Sequence, residues 1–234
     1  MDTNNVNKYE INDLEKEESW RMFRIIGEFV EGFDSLADIV PAVTIYGSAR
    51  TKPDVDLYAE VEKTALLLGK AGFNIMTGGG PGVMEAANKG AALAGVKSIG
   101  LNIKLPQEQA CNIYANRSIT FHHFFVRKVM LVKYATAFVI MPGGLGTLDE
   151  LTEVLTLIQT EKIKPFPVIL YKSDYWGGLV TWLRETVLKA GAISEEDFDI
   201  LRVVETPEAV EDTVHKWHID HVVTGVRALE LQYP

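Results

Sequence analysis

The chain has 234 residues, 47% of them hydrophobic, and a formal net charge of −9; this suits one sizeable domain with a packed core and argues against a polynucleotide partner, since no long Lys/Arg block offsets the acidity. A small anionic ligand stays open, because a few convergent donors can dominate a local field. The single cysteine, Cys111, excludes an internal disulfide. With no signal-peptide pattern in the first ten residues and no run approaching about eighteen apolar residues, the chain reads as cytoplasmic, with no membrane contact.

Residues 1–19 are polar. From about Leu14 to Phe33, Trp20, Phe23, Ile26 (or Gly27) and Val30 recur at helical spacing. A helix of this kind, outside the main repeat, is expected to cover a core edge or a subunit contact. It is read as an N-terminal extension, residues 1–40, packed on the main body. Pro41 then opens a strand, Ala42 to Tyr46, which ends in Gly47-Ser48-Ala49-Arg50. A helix follows from about Asp56 to Ala71. The short strand Phe73 to Thr77 runs into Gly78-Gly79-Gly80-Pro81-Gly82. Pro81 is expected in the first turn of the next helix, where its missing N–H is no loss. That helix places Met84, Ala87, Ala91 and Ala94 toward the sheet.

Ser98 to Ile103 is a third strand, and a polar connection (Leu105 to Asn116) leads to a fourth, Ser118 to Phe121. The helix after it, Phe124 to Tyr134, holds Arg127 and Lys128 among apolar residues. A buried strand, Ala137 to Met141, follows. Then come a strand at Pro167 to Tyr171, a helix from about Tyr175 to Lys189, a short acidic helix capped by Ser194, a last strand at Leu201 to Val204 and a helix opened by Pro207. Strands apolar on both faces, alternating with helices, predict an α/β fold: a single Rossmann-like, doubly wound parallel sheet flanked by helices, with the extra N-terminal helix. Residues 41–220 form the nucleotide-binding unit and 221–234 a tail. Ligands of such sheets bind at the carboxyl ends of strands near the switch point. The turns at Gly47-Ser48, Gly78 to Gly82 and Gly143 to Thr147 should converge there.

The most informative stretch is Met141 to Glu150, M-P-G-G-L-G-T-L-D-E. A strand ends, the backbone turns through glycines and a helix begins, which aims free N–H groups and the positive end of the helix dipole at one point. That is an anion site. The string nevertheless puts two carboxylates, Asp149 and Glu150, in what reads as the first helical turn. One explanation is a capping box between Thr147 and Glu150; the other is chemistry. Neither glycine cluster forms the G-x-G-x-x-G dinucleotide fingerprint after the first strand, which disfavours a nicotinamide or flavin enzyme.

The pattern P-G-G-x-G-T-x-x-E, carried by Pro142, Gly143, Gly144, Gly146, Thr147 and Glu150, resembles the Lonely Guy family of cytokinin riboside 5′-monophosphate phosphoribohydrolases. Many of these were once labelled possible lysine decarboxylases. The turn Gly78-Gly79-Gly80 with Gly82 and Met84, and the pair Arg127-Lys128, are similar to two further motifs of that family. The resemblance covers roughly residues 42 to 215. The string G-G-G-P-G-V-M-E-A-A-N and the forty residues before the first strand are similar to its longer bacterial branch, for which AMP is a sensible substrate.

The resemblance implies hydrolysis of the N-glycosidic bond of a purine riboside 5′-monophosphate, the adenine being plain or N6-modified, to free base and ribose 5-phosphate. It assigns catalysis to Arg127 and Glu150. Substrate contacts fall on Ser48, Arg50, Gly79, Gly80, Met84, Glu108, Lys128, Gly143, Gly144, Gly146 and Thr147, and more weakly on Thr156. It also implies a homodimer or higher homo-oligomer, to which the apolar helix Phe124 to Tyr134 is suited. No cofactor or metal is expected: no lysine stands in a Schiff-base context, and no His/Cys/Asp cluster has ligand spacing. Glu150 would stay ionised under the helix dipole and face an oxocarbenium-like ribose, with Arg127 between it and the phosphate. His122-His123 is read as structural, and Cys111 as having no nucleophilic role. Glu85 either lines the site or complements a helix dipole, and Trp176, Trp182 and Trp217 are read as packing. Two alternatives remain: a non-catalytic nucleotide or molybdenum-cofactor carrier, and a signalling-nucleotide binding module.

Overall fold

A computed structural model describes residues 18–104 and 112–223. In chain order the elements are α1 (Glu18–Leu36), β1 (Ala42–Tyr46), α2 (Asp56–Lys70), β2 (Asn74–Thr77), α3 (Val83–Ala94), β3 (Ser98–Ile103), β4 (Arg117–Phe121), α4 (Phe124–Lys133), β5 (Ala135–Ile140), α5 (Leu145–Gln159), β6 (Val168–Tyr171), α6 (Ser173–Trp182), β7 (Leu201–Val204) and α7 (Pro207–His218). A π-helical run, Leu183–Leu188, prolongs α6, and a 3-10 turn, Glu195–Ile200, precedes β7. In that turn Ser194 forms the expected cap.

The seven strands form one parallel sheet in the order β4-β3-β2-β1-β5-β6-β7. The chain winds outward from β1 to β4, then returns to the middle and winds the other way, so the switch point lies between β1 and β5. Strands β1, β5 and β6 are buried along their whole length, as apolar runs covered on both faces must be. Side chains alternate between two cores. Ala42, Tyr46, Phe138 and Ile140 face α1, α4, α5 and α6, where Leu36, Met130, Leu151 and Trp176 wait. Val43, Ile45, Ala137 and Val139 face α2, α3 and α7, against Tyr58, Leu68, Ala87 and Val210.

One local expectation is corrected and two are refined. Pro81 stands before the helix, because Gly82, at φ 70°, is the N-cap of α3. The close approach of α3 is to α2 as much as to the sheet: a Cβ on Gly90 would collide with the Glu62 carbonyl oxygen. The apolar stripe of α1 is not its packed face. Trp20, Phe23, Ile26 and Val30 are 65%, 67%, 50% and 52% exposed, while Ile25, Phe29 and Leu36 reach the core and Gly32 lies against Met130. Periodicity picked the outer face because the inner one is interrupted by Glu28 and Gly32. Of the tryptophans, Trp176 is buried and Trp182 is exposed. No helix among the described residues is long and apolar enough to cross a membrane.

Candidate active site

Three strand-to-helix turns meet at the carboxyl ends of β1, β2 and β5. The Ser48 N–H donates to the Pro142 carbonyl at 3.1 Å, and the Val83 N–H donates to the Ser48 carbonyl at 3.0 Å, so the turn after β1 is tied to both others. Their closeness demands glycine. A Cβ on Gly47 would lie 2.5 Å from the Val83 side chain, and one on Gly82 would lie 2.5 Å from the Ser48 carbonyl oxygen.

The turn after β5 starts its helix earlier than the sequence suggested. Gly144 is the N-cap of α5 and no side chain caps it; the Leu148 N–H makes the first intrahelical bond, to the Gly144 carbonyl at 3.0 Å. The amides of Leu145, Gly146 and Thr147 therefore have no intrahelical acceptor. Gly144 and Gly146 are exposed, with open space where a Cβ would stand and no left-handed φ. Nothing in the fold itself requires glycine at either position. The capping-box expectation fails: Thr147 is buried in the first turn with its side chain against Gly143, and Asp149 and Glu150 fall in the second. From α6, the Tyr175 hydroxyl donates to the Gly143 carbonyl at 2.7 Å.

Arg127, one turn into α4, approaches this helix from the side. Its Nη2 lies 3.8 Å from Oε1 of Glu150, and the two side chains are 12% and 16% exposed. That is an ion pair too long to be a hydrogen bond. Nη1 donates a long bond, 3.4 Å, to the Leu101 carbonyl, and lies 3.1 Å from where a Cβ on Gly78 would be. Nε is buried and makes no hydrogen bond among the described residues. The guanidinium sits 5.5 Å from the Phe124 ring centroid. Burial pulls the Arg127 pKa down, opposed by the charge of Glu150. Burial pushes Glu150 up to about 7, although Arg127 opposes the rise. Desolvation thus opposes the ionised form of Glu150 expected under the helix dipole, which fades beyond the first turn. Tyr46, fully buried at the end of β1, is raised by burial and then by the same carboxylate.

Lys128 pairs with Asp149 at 2.9 Å and Glu153 at 3.3 Å. Burial alone would lower its pKa, but the two carboxylates turn the shift upward. The turn after β2 rests on a buried amide network. The Asn112 N–H donates to the Gly79 carbonyl at 3.0 Å, and its side-chain amide donates to the Gly80 carbonyl at 3.1 Å and to Asn88 Oδ1 at 2.9 Å. The Thr77 hydroxyl donates to the same Oδ1 at 2.7 Å, and Asn88 Nδ2 donates to Ser98 Oγ at 2.9 Å. Gly79, at φ 72°, is pressed against the Asn102 amide, and Met84 Sδ covers Gly78.

The remaining residues named from the sequence differ in their place relative to the three turns. Ser48 Oγ accepts the Arg50 N–H at 3.0 Å, and Arg50 itself is exposed. Thr156 is about 9 Å further along α5 than Glu150 and lines a separate apolar cavity of about 200 Å³ with Leu155, Gln159, Leu183, Ile193 and Phe198. Glu85 accepts the Tyr58 hydroxyl at 2.8 Å. Glu108 and Cys111 lie outside the described residues. Glu28, reaching from α1, accepts the backbone N–H groups of His122 at 3.1 Å and His123 at 3.2 Å, and its Oε1 contacts both rings. A carboxylate thus closes the start of α4, which has no cap of its own. Tyr46, Asn88, Asn102, Asn112 and Tyr175 went unnoticed in the sequence. Asn102, a lone amide near the end of an apolar strand, was the one with a visible signal. Among the described residues, no group of three or more His, Cys, Asp or Glu could hold a metal.

The sequence pattern of a family described as "Possible lysine decarboxylase" matches residues 84–214, more than half of the chain. A rice protein named "Probable cytokinin riboside 5′-monophosphate phosphoribohydrolase" is 33% identical over 103 residues, covering 43% of this chain and 48% of its own length. Two proteins named cytokinin riboside 5′-monophosphate phosphoribohydrolase are each 29% identical. The one from Mycobacterium marinum covers 57% of this chain and 72% of its own, and the one from Mycobacterium tuberculosis 74% and 91%. The match therefore spans about half the length of the rice relative. Among solved structures, the molybdenum cofactor binding protein of Rippkaea orientalis superposes with a TM-score of 0.54 at 23% identity, over 75% of this chain and 94% of that one. The molybdenum cofactor carrier protein of Chlamydomonas reinhardtii does so at 0.54 and 21%, over 76% and 97%. These two likenesses concern the fold.

Proposed function

The chain belongs to the family described as possible lysine decarboxylases, and on that premise we propose that it hydrolyses the N-glycosidic bond of a purine riboside 5′-monophosphate, giving free base and ribose 5-phosphate. The observation that carries the reading is the buried pair of Arg127, from α4, and Glu150, the carboxylate lying on the helix whose first three amides are bare at the switch point of the sheet. The names of the rice and mycobacterial relatives point to the same reaction.

In this reading the 5′-phosphate takes the amides of Leu145, Gly146 and Thr147, which the open glycines leave accessible. Arg127 lies between that anion and Glu150 and holds both. As the base departs, positive charge builds on the ribose. Glu150 stabilises it and takes a proton from the attacking water as the C1′–O bond forms, the departing base nitrogen taking one in turn from solvent, work for which a pKa near neutrality is suited. Glu108, Lys128, Ser48, Arg50, Gly79, Gly80, Met84 and Thr156 complete the proposed substrate contacts. Lysine-based decarboxylation is not proposed: Lys128, beside the glycine turn after β5, is engaged by the carboxylates of Asp149 and Glu153. We assign residues 1–40 to an extension, 41–220 to the catalytic unit and 221–234 to a tail. The single cysteine supports a reducing, cytoplasmic setting.

The exposed apolar residues of α4, Phe124, Phe125 and Val129, support a homodimer. The test is to incubate purified protein with AMP, GMP, CMP, UMP and N6-isopentenyl-AMP, measuring base and ribose 5-phosphate together. Equimolar release from a purine nucleotide is expected. Binding without release would overturn the reading in favour of a carrier or a binding module.

A further inference from the structure

Helix α1 carries apolar residues on two opposite faces. The inner face, with Ile25, Phe29 and Leu36, belongs to the core. The outer stripe runs through Trp20, Phe23, Gly27 and Val30, with Ile26 and Phe33 on one flank; its five large residues are between 38% and 67% exposed. The rings of Trp20 and Phe23 already contact each other, with centroids 6.0 Å apart. A stripe of this size on a soluble helix marks a contact surface.

The charges beside the stripe say what the contact is. Arg21 and Arg24 stand in the first half of α1, and Glu31 and Asp34 in the second. Arg24 and Glu31, on the flank opposite Ile26, are exposed, and neither pairs with another described residue. Laid parallel, two such helices would set like charges together. Laid antiparallel, they bring Arg24 of each copy level with Glu31 of the other. The middle of that arrangement falls at Gly27, where nothing lies within 4 Å of a built Cβ. A glycine at the crossing lets two backbones approach closely, with Phe23 and Val30 closing on either side.

We infer that α1 is a self-association element: two copies of this chain pair antiparallel through their α1 helices about a two-fold axis at Gly27, with Arg24–Glu31 pairs reciprocated across it. The pairing is isologous, as closed assemblies require. It is separate from any contact through the exposed face of α4, and independent of the reaction catalysed.

Sedimentation of the full chain at low micromolar concentration tests it. Arg24→Glu and Glu31→Arg should each lower the particle mass by one association step, raising the dissociation constant by about tenfold or more, since each reversal sets like charges together twice per interface. The double variant restores opposite charges and should regain the parental mass. Phe23→Asp, an exposed position that should leave folding intact by circular dichroism, should abolish the step. A mass that ignores Phe23→Asp and both reversals overturns the pairing and leaves the stripe to another protein or to the chain's own first residues. Two weakened single variants with no recovery in the double would overturn the antiparallel register.

Discussion

Arg127 and Glu150 are held 3.8 Å apart in a largely buried setting, near enough to feel each other's charge and too far to share a proton. Burial works against the charge on both. A bound anion would find a cation whose buried Nε makes no hydrogen bond among the described residues and a carboxylate raised toward neutrality.

Glu150→Gln should leave α5 intact, since the helix start belongs to Gly144 and not to this residue. Turnover of AMP should fall by about two orders of magnitude or more, the scale of a positioned acid or base, while calorimetry should show binding retained. Arg127→Ala should lose binding and rate together. A Glu150→Gln enzyme of normal activity would return the motif to a structural role.

For the parent, kcat/KM should rise with pH and level off above about 7, where Glu150 becomes ionised. Stability should move the other way. The folded pKa lies above the ordinary 4.5, so between those values the folded chain keeps a proton that the unfolded chain has released, and this group's contribution declines as pH rises. Glu150→Gln should therefore melt above the parent at pH 8, by several degrees, with the gap closing toward pH 5.

Gly146→Ala probes the proposed phosphate seat. The added methyl meets open space and an ordinary helical backbone, so the melting temperature should hold or rise slightly. Affinity for AMP should drop about tenfold or more, because the methyl stands where a phosphate would approach. Adenosine, lacking the phosphate, should be turned over far more slowly than AMP by the parent. Equal rates for the two would remove the seat from the mechanism.

Asn88→Leu tests the amide network beneath the second glycine turn. It strips partners from the Thr77 hydroxyl, the Asn112 amide and Ser98 in a fully buried place. Leaving such groups unsatisfied costs about 3 kcal/mol or more in total, a fall of roughly 10 °C for a chain of this size, readable by calorimetry.

The fold was legible because its signals are local and repeated: apolar runs such as Ala137 to Met141, glycine turns and helical spacing all agree. Alternation along β1 even carried the division of the core, with Ala42 and Tyr46 on one face and Val43 and Ile45 on the other. Helix polarity was harder. On α1 the periodic stripe proved to be the outer face, because a buried Glu28 and a Gly32 packed on Met130 disguise the inner one. At the site, the string showed Arg127 and Glu150 as residue types but not their desolvation, which depends on walls supplied by distant segments. Asn112 was unreadable for a similar reason, since its partners Gly79, Gly80 and Asn88 lie at least 24 positions away. The start of α5 was misplaced because Thr147 and Glu150 imitate a cap that Gly144 supplies.

The carboxylate of Glu28 makes the helix outside the alternating repeat a tether for the helix that bears the guanidinium. It grips the amides of His122 and His123, and Arg127 follows within one turn, its own N–H bonded to the His123 carbonyl. Anyone trimming the chain to its α/β repeat would cut near Pro41, where the first strand begins, and would keep every residue of the three turns. Such a truncated protein would still carry the whole glycine-rich signature. It would also have lost the anchor that holds the start of the helix bearing the guanidinium, so the borders of the unit that builds this site are not the borders of its motif.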